Sequence, residues 1–294
     1  MSSGTAEHRY SYPVDLGDEN HVAANVMRLV GRNKTVLEIG SGPGSITRYL
    51  KDPGQCRIVA IEMDPAAAAL VAPYCEAVLR SDLNDPAWTE PLASRAGGFE
   101  VIVASDVLEH LYDPWRVLRQ MRDLLSSDGF VVVSLPHAGH NAVIASLLNS
   151  DLEYQEHGLL DRTHVRFFGL RNMQSMFDGA GYRIIDATFV TRHPGVTELA
   201  HQWLALPADL QRALATNRYG GVYQVVIKAE AAIDGRKGID LRTLSVPVVR
   251  DSWIRRRILP RARAIADRLS PKAKTRLKAW LTKTGLMRRL RGGK

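Results

Sequence analysis

The chain has 294 residues, of which 45% are hydrophobic and 24% charged, a composition typical of a soluble globular protein. Its two cysteines, Cys56 and Cys75, are too few for a disulfide framework and form no C-x-x-C zinc motif, so we expect buried, reduced thiols and a cytoplasmic protein. The N-terminal segment has no apolar core, and no run of about 18 apolar residues occurs. We therefore expect neither a signal peptide nor a membrane-spanning helix.

Charge is distributed unevenly along the chain. Residues 231–294 contain 19 Lys and Arg against 4 Asp and Glu, which gives a net charge of +15. Residues 1–230 contain 20 against 27, which gives a net charge of −7. We therefore expect an acidic domain over residues 1–230, with its core starting near residue 20, and a basic extension over residues 231–294.

Strand-like and helix-like patterns alternate between residues 34 and 135. Short apolar runs predict five strands, in "KTVLEIG", which reads as buried, and in "CRIVAIE", the shorter "EAVLRSD", "FEVIVASD" and "FVVVSLP". Helices are predicted in "SITRYLKD", in "DPAAAALVAPY" with Asp64 as N-cap, and in "DPWRVLRQMRDLLSSDG" from Asp113 to Gly129. The segment "DPAWTEPLASR" predicts only a weak helix or a loop.

The second part of the domain adds two strands. "LRNMQSMFDGAGYRIIDATFVTR" predicts a helix, a turn and a strand, and "GGVYQVVIKAE" predicts a final strand. Alternating strands and helices indicate an α/β fold, which we expect to be a Rossmann-like seven-stranded, mostly parallel sheet with helices on both faces and a basic C-terminal helical extension. Residues 136–168 form a polar, histidine-rich connection too long for an ordinary loop, which points to function.

The glycine-rich turn "VLEIGSGPG" follows the first predicted strand and could bind either an anionic or a cationic ligand. Its glycines allow the backbone to approach a ligand closely. Position 45 is serine, however, so the G-x-G-x-x-G dinucleotide spacing is not met, and no Gly-Lys-Ser/Thr follows as in a phosphate-binding loop. Glu38 would repel a phosphate but would attract an ammonium or sulfonium group. The turn therefore favours a cationic ligand.

Carboxylates also follow the next strands. Glu62 ends the second strand, where a carboxylate can accept both hydroxyls of a ribose, and Asp82 ends the third, where it could accept an exocyclic amine. The segment "ASDVLEHL" ends the fourth strand at the same edge of the sheet. One ligand with a cationic amino-acid end, a ribose and an adenine accounts for all of these, namely S-adenosylmethionine.

The motifs "VLEIGSGPG", "IEMDP", "RSDL" and "FEVIVASDVLEHL", in this order, resemble those of class I S-adenosylmethionine-dependent methyltransferases over about residues 20–230. Glu62 stands where many relatives have aspartate, which is a small departure. The resemblance implies that the ribose binds Glu62 and that the other contacts divide between the two ends of the cofactor. They are Glu38, Gly40, Ser41, Gly42, Ser105 and Asp106 at the methionine end, and Met63, Asp82 and Leu83 at the adenine.

Four of the nine histidines fall within the connection at 136–168. They are His137, His140, His157 and His164, with His110 expected nearby. Methyl transfer to a hydroxyl requires removal of its proton, and a histidine oriented by a carboxylate is the usual base. His164 with Asp161 is the preferred pair, followed by His137 or His140. A structural role for these histidines stays open.

The stretch "GLLDRTHVRFF" resembles a segment of methyltransferases that modify bacterial cell-surface polysaccharides and sugars. Arg162 and Arg166 would suit an anionic or phosphorylated acceptor, or they form surface ion pairs. No metal is expected, because magnesium prefers oxygen ligands. A transition metal at His137 and His140 is a less favoured alternative.

The basic extension contains two amphipathic stretches, "DSWIRRRILPRARAIADRL" and "SPKAKTRLKAWLTKTGL". The second places Trp280 and leucines opposite a face of Lys and Arg, a pattern typical of helices that bind an anionic membrane surface. A solvated extension or a docking segment for a protein partner are the alternatives. Nucleic acid is an unlikely partner, because the extension has few aromatic residues on which bases could stack.

The favoured function is O-methylation of a sugar or glycolipid in cell-envelope polysaccharide biosynthesis, at the inner membrane face. Methylation of a small phenolic or isoprenoid metabolite is the second possibility, since quinone-pathway enzymes share the "VLEH" stretch. A non-catalytic module that only binds S-adenosylmethionine is the third. Methylation of nucleic acid is disfavoured, because no N/D-P-P-Y/F motif occurs and the body is acidic.

Overall fold

The computed structural model describes residues 12, 14–95, 97–232 and 235–247. The two amphipathic stretches of the basic extension, with Trp280, lie outside the described residues, so their predicted helices stay predictions.

A seven-stranded sheet forms the centre of the fold, as the sequence predicts. Its strands follow the order β3-β2-β1-β4-β5-β7-β6, in which β1 to β5 run parallel and β7 runs antiparallel to β5. In chain order they are β1 (Thr35–Ile39), β2 (Arg57–Ile61), β3 (Ala77–Leu79), β4 (Phe99–Ser105), β5 (Leu125–Pro136), β6 (Tyr182–Thr191) and β7 (Val222–Ala231). The order reverses between β1 and β4, where open α/β sheets bind their ligands.

Helices connect the strands. They are α1 (Val22–Val30), α2 (Thr47–Lys51), α3 (Pro65–Val71), α4 (Pro114–Leu124), α5 (Asn141–Leu148), α6 (Leu170–Gly179), α7 (Ala200–Ala205) and α8 (Ala208–Leu214). The predicted caps of α3 and α4 are confirmed: the Asp64 carboxylate accepts the N–H of Ala66, and the Asp113 carboxylate accepts the N–H of Arg116, each at 2.9 Å. Within the described part of the chain, no helix combines the length and apolarity needed to span a membrane.

The core lies between the sheet and its helices. Helix α1 buries one face, which includes Val26 and Leu29, against the apolar side chains of the central strands. Cys56 belongs to this core, whereas Cys75 is half-buried, and both thiols are free. Burial raises the pKa of both thiols, that of Cys75 to about 12. The expectation of buried thiols is therefore confirmed for Cys56 and wrong for Cys75, which is only half-buried.

One predicted boundary is wrong, and one helix lies outside the predicted elements. The helix predicted from Asp113 to Gly129 ends at Leu124, because Leu125 leaves the helix and pairs with Phe99 of β4. Between this residue pair and the next, Val101 with Phe130, the register of β4 and β5 shifts. The polar residues "SSD" of β5 lie in this irregular stretch and have no partner residue in the β4 register. The connection at 136–168 also contains a helix, α5, which the sequence pattern does not single out.

The described residues divide into two compact units. The first unit contains the sheet and runs to Ala138, with Thr163–Val190 and Val222–Pro247. The second unit comprises Gly139–Arg162 and Thr191–Gly221. Helices α5, α7 and α8 lie in the second unit, which has its own small core of Ala145, Trp203, Leu206, Leu210 and Leu214.

Candidate functional site

The glycine turn after β1 is tied to the end of β2. The N–H groups of Gly40 and Ser41 donate to the carbonyl of Ile61 at 2.8 and 3.3 Å. Gly40 has a φ of +64°, and a Cβ at this position would lie 2.7 Å from Cγ2 of Val107. Both the backbone conformation and the space therefore require glycine. Gly40 packs closely against the side chain of Val107, and the sequence alone does not predict this contact.

Glu62 supports this turn from the end of β2. Its Oε2 accepts the N–H of Gly42 at 2.7 Å, and its Oε1 accepts the N–H of Asp64 at 2.8 Å. A carboxylate oxygen has two lone pairs, so each oxygen can accept a further hydrogen bond. Glu62 is thus held in one orientation and retains the capacity to accept two ribose hydroxyls.

Glu38 is the charged residue most deeply buried in the turn. It is 3% exposed, and its Oε2 has no hydrogen-bond partner among the described residues. Burial raises the pKa of Glu38 to about 7, and the nearby carboxylate of Glu62 acts in the same direction. A buried carboxylate is costly without a partner. A cationic ligand would supply one, so the site fits the positively charged end of S-adenosylmethionine.

The loop after β3 carries the residues expected at the adenine. Asp82 is exposed and its Oδ1 accepts the N–H of Asn84 at 2.9 Å, while Leu83 is buried. The guanidinium of Arg116, on α4, donates to the carbonyls of Leu83 and Asn84 at 3.0 and 2.9 Å. Met63 is 61% exposed, so its apolar side chain is accessible to a flat ring. Arg116 is a residue that the sequence does not mark as part of this site.

Two serines and a glutamine surround Asp106 at the end of β4. Ser105 Oγ lies 2.9 Å from Ser134 Oγ. Oδ1 of Asp106 accepts the hydroxyl of Ser134 at 2.9 Å and the amide of Gln224 at 2.7 Å. These bonds orient Asp106, whose φ of +56° is rare for a residue with a side chain. Ser134 and Gln224 lie on β5 and β7, so only the sheet topology identifies them.

Tyr12 joins the site from the N-terminal segment. Its N–H donates to Ser45 Oγ at 3.3 Å. Burial raises the pKa of Tyr12 well above its usual range, and the carboxylates of Asp106 and Glu38 add to this effect. The phenol therefore stays protonated. Nothing in the local pattern "RYSYP" distinguishes it.

Glu109, His110 and His164 form a compact group, the histidine–carboxylate cluster. A short helical turn, Leu108–His110, follows β4, and the N–H groups of Val165 and Arg166 both donate to the Glu109 carbonyl at 2.9 and 3.0 Å. These bonds bring His164 to Glu109, with 3.8 Å between Nε2 and Oε1. The rings of His110 and His164 have centroids 4.7 Å apart in an edge-to-face arrangement.

The structure gives the predicted catalytic residues different surroundings. His164 lies in the cluster, beside the buried carboxylate of Glu109. His137 is buried beside β7, with Nδ1 3.2 Å from the carbonyl of Val222, and burial lowers its pKa. Asp161 is buried in the second unit, and its pairing with His164 stays a prediction. The sequence pattern does not mark Glu109, although it follows the strand-end Asp106 by three residues.

His140 caps a helix. Its Nδ1 accepts the N–H of Ala142 at 3.1 Å, so the ring proton is on Nε2, which lies 2.9 Å from the carbonyl of Arg192. Both ring nitrogens are therefore engaged within the second unit, which favours a structural role. Sequence spacing alone cannot separate a capping histidine from a catalytic one.

Aromatic side chains are exposed near the cluster. Tyr112, Trp115 and Phe167 are 69%, 36% and 41% exposed, and Phe167 makes an edge-to-face contact with His164 at 6.4 Å. The Arg166 guanidinium lies over the Trp115 ring at 5.5 Å, and its Nε donates to the carbonyl of Tyr112 at 3.2 Å. Arg162, also predicted as an anion contact, pairs with Glu156 at 3.3 Å on the surface of the second unit.

The chain is similar to proteins of one family. A family model described as a methyltransferase domain matches residues 16–187, more than half of the chain. An uncharacterized methyltransferase of Mycolicibacterium gilvum is 30% identical over 122 residues, which are 40% of this chain and 47% of the relative. A ubiquinone biosynthesis O-methyltransferase of Coxiella burnetii is 22% identical over 188 residues, which are 63% of this chain and 75% of the relative.

The fold is similar to that of solved structures. A structure from Bacillus halodurans, described as a candidate methyltransferase, aligns with a TM-score of 0.53 at 16% identity. The alignment covers 72% of this chain and 99% of that protein. The chain spans about half the length of the first curated relatives it matches, 47% of the one from Mycolicibacterium gilvum and 55% of one from Mycobacterium leprae.

Proposed function

Because the chain belongs to the S-adenosylmethionine-dependent methyltransferase family, we propose that it transfers a methyl group from S-adenosylmethionine to a hydroxyl oxygen of a sugar or glycolipid. The main support for the proposal is the environment of Glu38. Its buried Oε2 has no hydrogen-bond partner among the described residues. A carboxylate in that position is suited to a cation and unsuited to a phosphate. The carboxylates of Glu62 and Asp82, which follow β2 and β3, would bind the ribose and the adenine of the same ligand.

The chemistry divides between the cofactor and the chain. When bound, S-adenosylmethionine supplies a methyl group on a sulfonium, and its transfer to oxygen leaves the sulfur neutral. The chain has to hold the acceptor in line and to promote loss of the hydroxyl proton. The histidine–carboxylate cluster is the group we assign to this second task. Within it, His164 is the predicted base, and the Glu109 carboxylate would stabilise the imidazolium.

A sugar or glycolipid acceptor is supported by exposed aromatic rings of the first unit. Tyr112 and Phe167 are 69% and 41% exposed, and flat apolar rings of this kind fit a sugar ring. We further propose that residues 231–294, with their net charge of +15, hold the enzyme at an anionic inner-membrane face.

A phenolic acceptor is the second candidate. The similarity to a ubiquinone biosynthesis O-methyltransferase favours it, and the exposed aromatic rings fit a phenol as well as a sugar.

The test is methyl transfer from labelled S-adenosylmethionine to a panel of lipid-linked glycans, free sugars and dihydroxylated phenols. The proposal expects label in the glycan fraction, with S-adenosylhomocysteine released in equal amount. Label only in the phenols would establish the second candidate instead. Cofactor binding without transfer to any acceptor would favour a non-catalytic module.

A further inference from the structure

The histidine–carboxylate cluster has the composition of a metal site. One ligand atom from each of Glu109, His110 and His164 lies within 4.8 Å of the other two. Two imidazoles and one carboxylate form a donor set that divalent transition metals bind, whereas magnesium prefers oxygen ligands alone. From this geometry we infer that the cluster binds a divalent transition-metal cation next to the acceptor.

The distances suit a single ion after a small adjustment. Ligand atoms around a tetrahedral zinc, with bonds of about 2.1 Å, lie about 3.4 Å apart. Glu109 Oε1 and His164 Nε2 are 3.8 Å apart, and one ligand atom from each of the three side chains lies within 4.8 Å of the other two. Rotations of the side chains that move these atoms by roughly 1 Å would complete the coordination.

The surroundings of His110 match those of a metal ligand. Its Nδ1 lies 3.2 Å from the carbonyl oxygen of Thr163 and 3.0 Å from the Thr163 hydroxyl. A carbonyl can only accept, so this contact favours the tautomer with the ring proton on Nδ1 and a lone pair on Nε2. Metal-binding histidines are typically oriented by such a hydrogen bond from the other ring nitrogen to a carbonyl.

Burial adds a reason for a cation. Glu109 is fully buried and His164 is 9% exposed. A bound cation would stabilise a carboxylate in such a buried position. The backbone bonds from Val165 and Arg166 to the Glu109 carbonyl hold the two halves of the cluster together, so the chain contributes a largely formed site.

A cation here would change the expected role of His164. The inference rests on the proposed function, since three protein ligands leave coordination positions that an acceptor hydroxyl can occupy. As a metal ligand, His164 would act on the acceptor through the cation, in place of the role as base that the proposed function gives it. The cation would make the acceptor hydroxyl more acidic, and the released proton would pass to water. The exposed ring of Phe167, in edge-to-face contact with His164, is available to hold the rest of the acceptor.

The experiment uses the full chain after treatment with a chelator, titrated with Co²⁺ in an optical absorption assay and with Zn²⁺ in a calorimeter. We expect one ion per chain and Co²⁺ absorption bands typical of nitrogen and oxygen ligands. Glu109→Gln and His110→Ala should each weaken binding at least about tenfold, as loss of even an outer contact does in metal sites. His110 is only half-buried, so its variant should fold even if a change at Glu109 does not.

The matched control is His201→Ala. His201 also pairs with a glutamate, Glu153, with Nε2 and Oε2 2.7 Å apart, but the pair is exposed and belongs to the second unit. The control should bind the ion as the wild type does. The inference is overturned if the wild type binds neither ion stoichiometrically, or if His110→Ala and Glu109→Gln bind as tightly as the control.

S-adenosylmethionine binding, measured on the same samples, separates this inference from the proposed function. Cofactor binding without metal binding refutes the metal site alone. Metal binding without cofactor binding supports the metal site and refutes the function.

Discussion

Replacing Glu38 by glutamine should make the free protein more stable at pH 8. The substitution keeps the shape of the side chain and removes its charge. In the folded protein the pKa of Glu38 is about 7 against an ordinary 4.5, because the carboxyl is buried. At about 1.4 kcal/mol for each pH unit, ionising Glu38 costs the folded state about 3 kcal/mol. Glutamine avoids this cost.

The sign of the pH dependence follows from the proton count. Between pH 4.5 and about 7 the folded state keeps the Glu38 proton while the unfolded state releases it. The free energy of unfolding contributed by this group therefore falls as pH rises through that window and is constant above it. Wild type and Glu38→Gln should be nearly equal at pH 5 and differ most at pH 8.

Urea unfolding of both proteins at pH 5, 6, 7 and 8 measures this difference. At each pH, the free energy of unfolding of the wild type is subtracted from that of the variant. This difference cancels the contributions of all other titrating groups. Exposed Glu90→Gln is the control and should show no pH-dependent difference. If Glu38→Gln is less stable than the wild type at pH 8, or if the difference does not grow between pH 5 and 7, the assignment of an uncompensated buried carboxylate is wrong.

Three further predictions concern the turn, the cluster and the extension. Gly40→Ala should lower the thermal midpoint and the cofactor affinity, because αL backbone costs about 1–2 kcal/mol with a side chain and the new Cβ meets Val107. Gly179→Ala, where a Cβ meets nothing within 4 Å, is its control, and equal effects would refute the argument. His164→Ala should lower turnover by about 10²–10⁴-fold with cofactor affinity retained, and a change of only a few-fold would place acceptor activation elsewhere. Truncation after residue 247, where the described part of the first unit ends, should abolish salt-sensitive co-sedimentation with anionic vesicles, and identical behaviour of both chains would exclude the membrane role.

The sheet could be predicted because every strand is encoded locally. Buried parallel strands appear as apolar runs, and the carboxylates Glu38, Glu62 and Asp82 follow three of them directly. The boundary at Leu124 could not be predicted, because the residues after it continue a helical pattern up to Gly129. The strand there depends on pairing with β4, which is a tertiary contact.

The histidine–carboxylate cluster could be predicted only in part. His164 was found from its surroundings in sequence, but Glu109 joins it through backbone bonds from residues more than fifty positions away. His140 shows that a histidine in a promising sequence context can have a structural role. It lies in the same histidine-rich segment, yet its ring is committed to capping α5 and to the carbonyl of Arg192.

The most direct test of the central proposal is equilibrium dialysis of the full chain against methyl-labelled S-adenosylmethionine at pH 8, with Glu38→Gln and Glu90→Gln alongside. The structure predicts one cofactor bound per chain in the wild type and in Glu90→Gln, and a large loss of affinity in Glu38→Gln. A wild-type chain that binds no cofactor, or a Glu38→Gln chain that binds it as tightly as the wild type, would contradict the account.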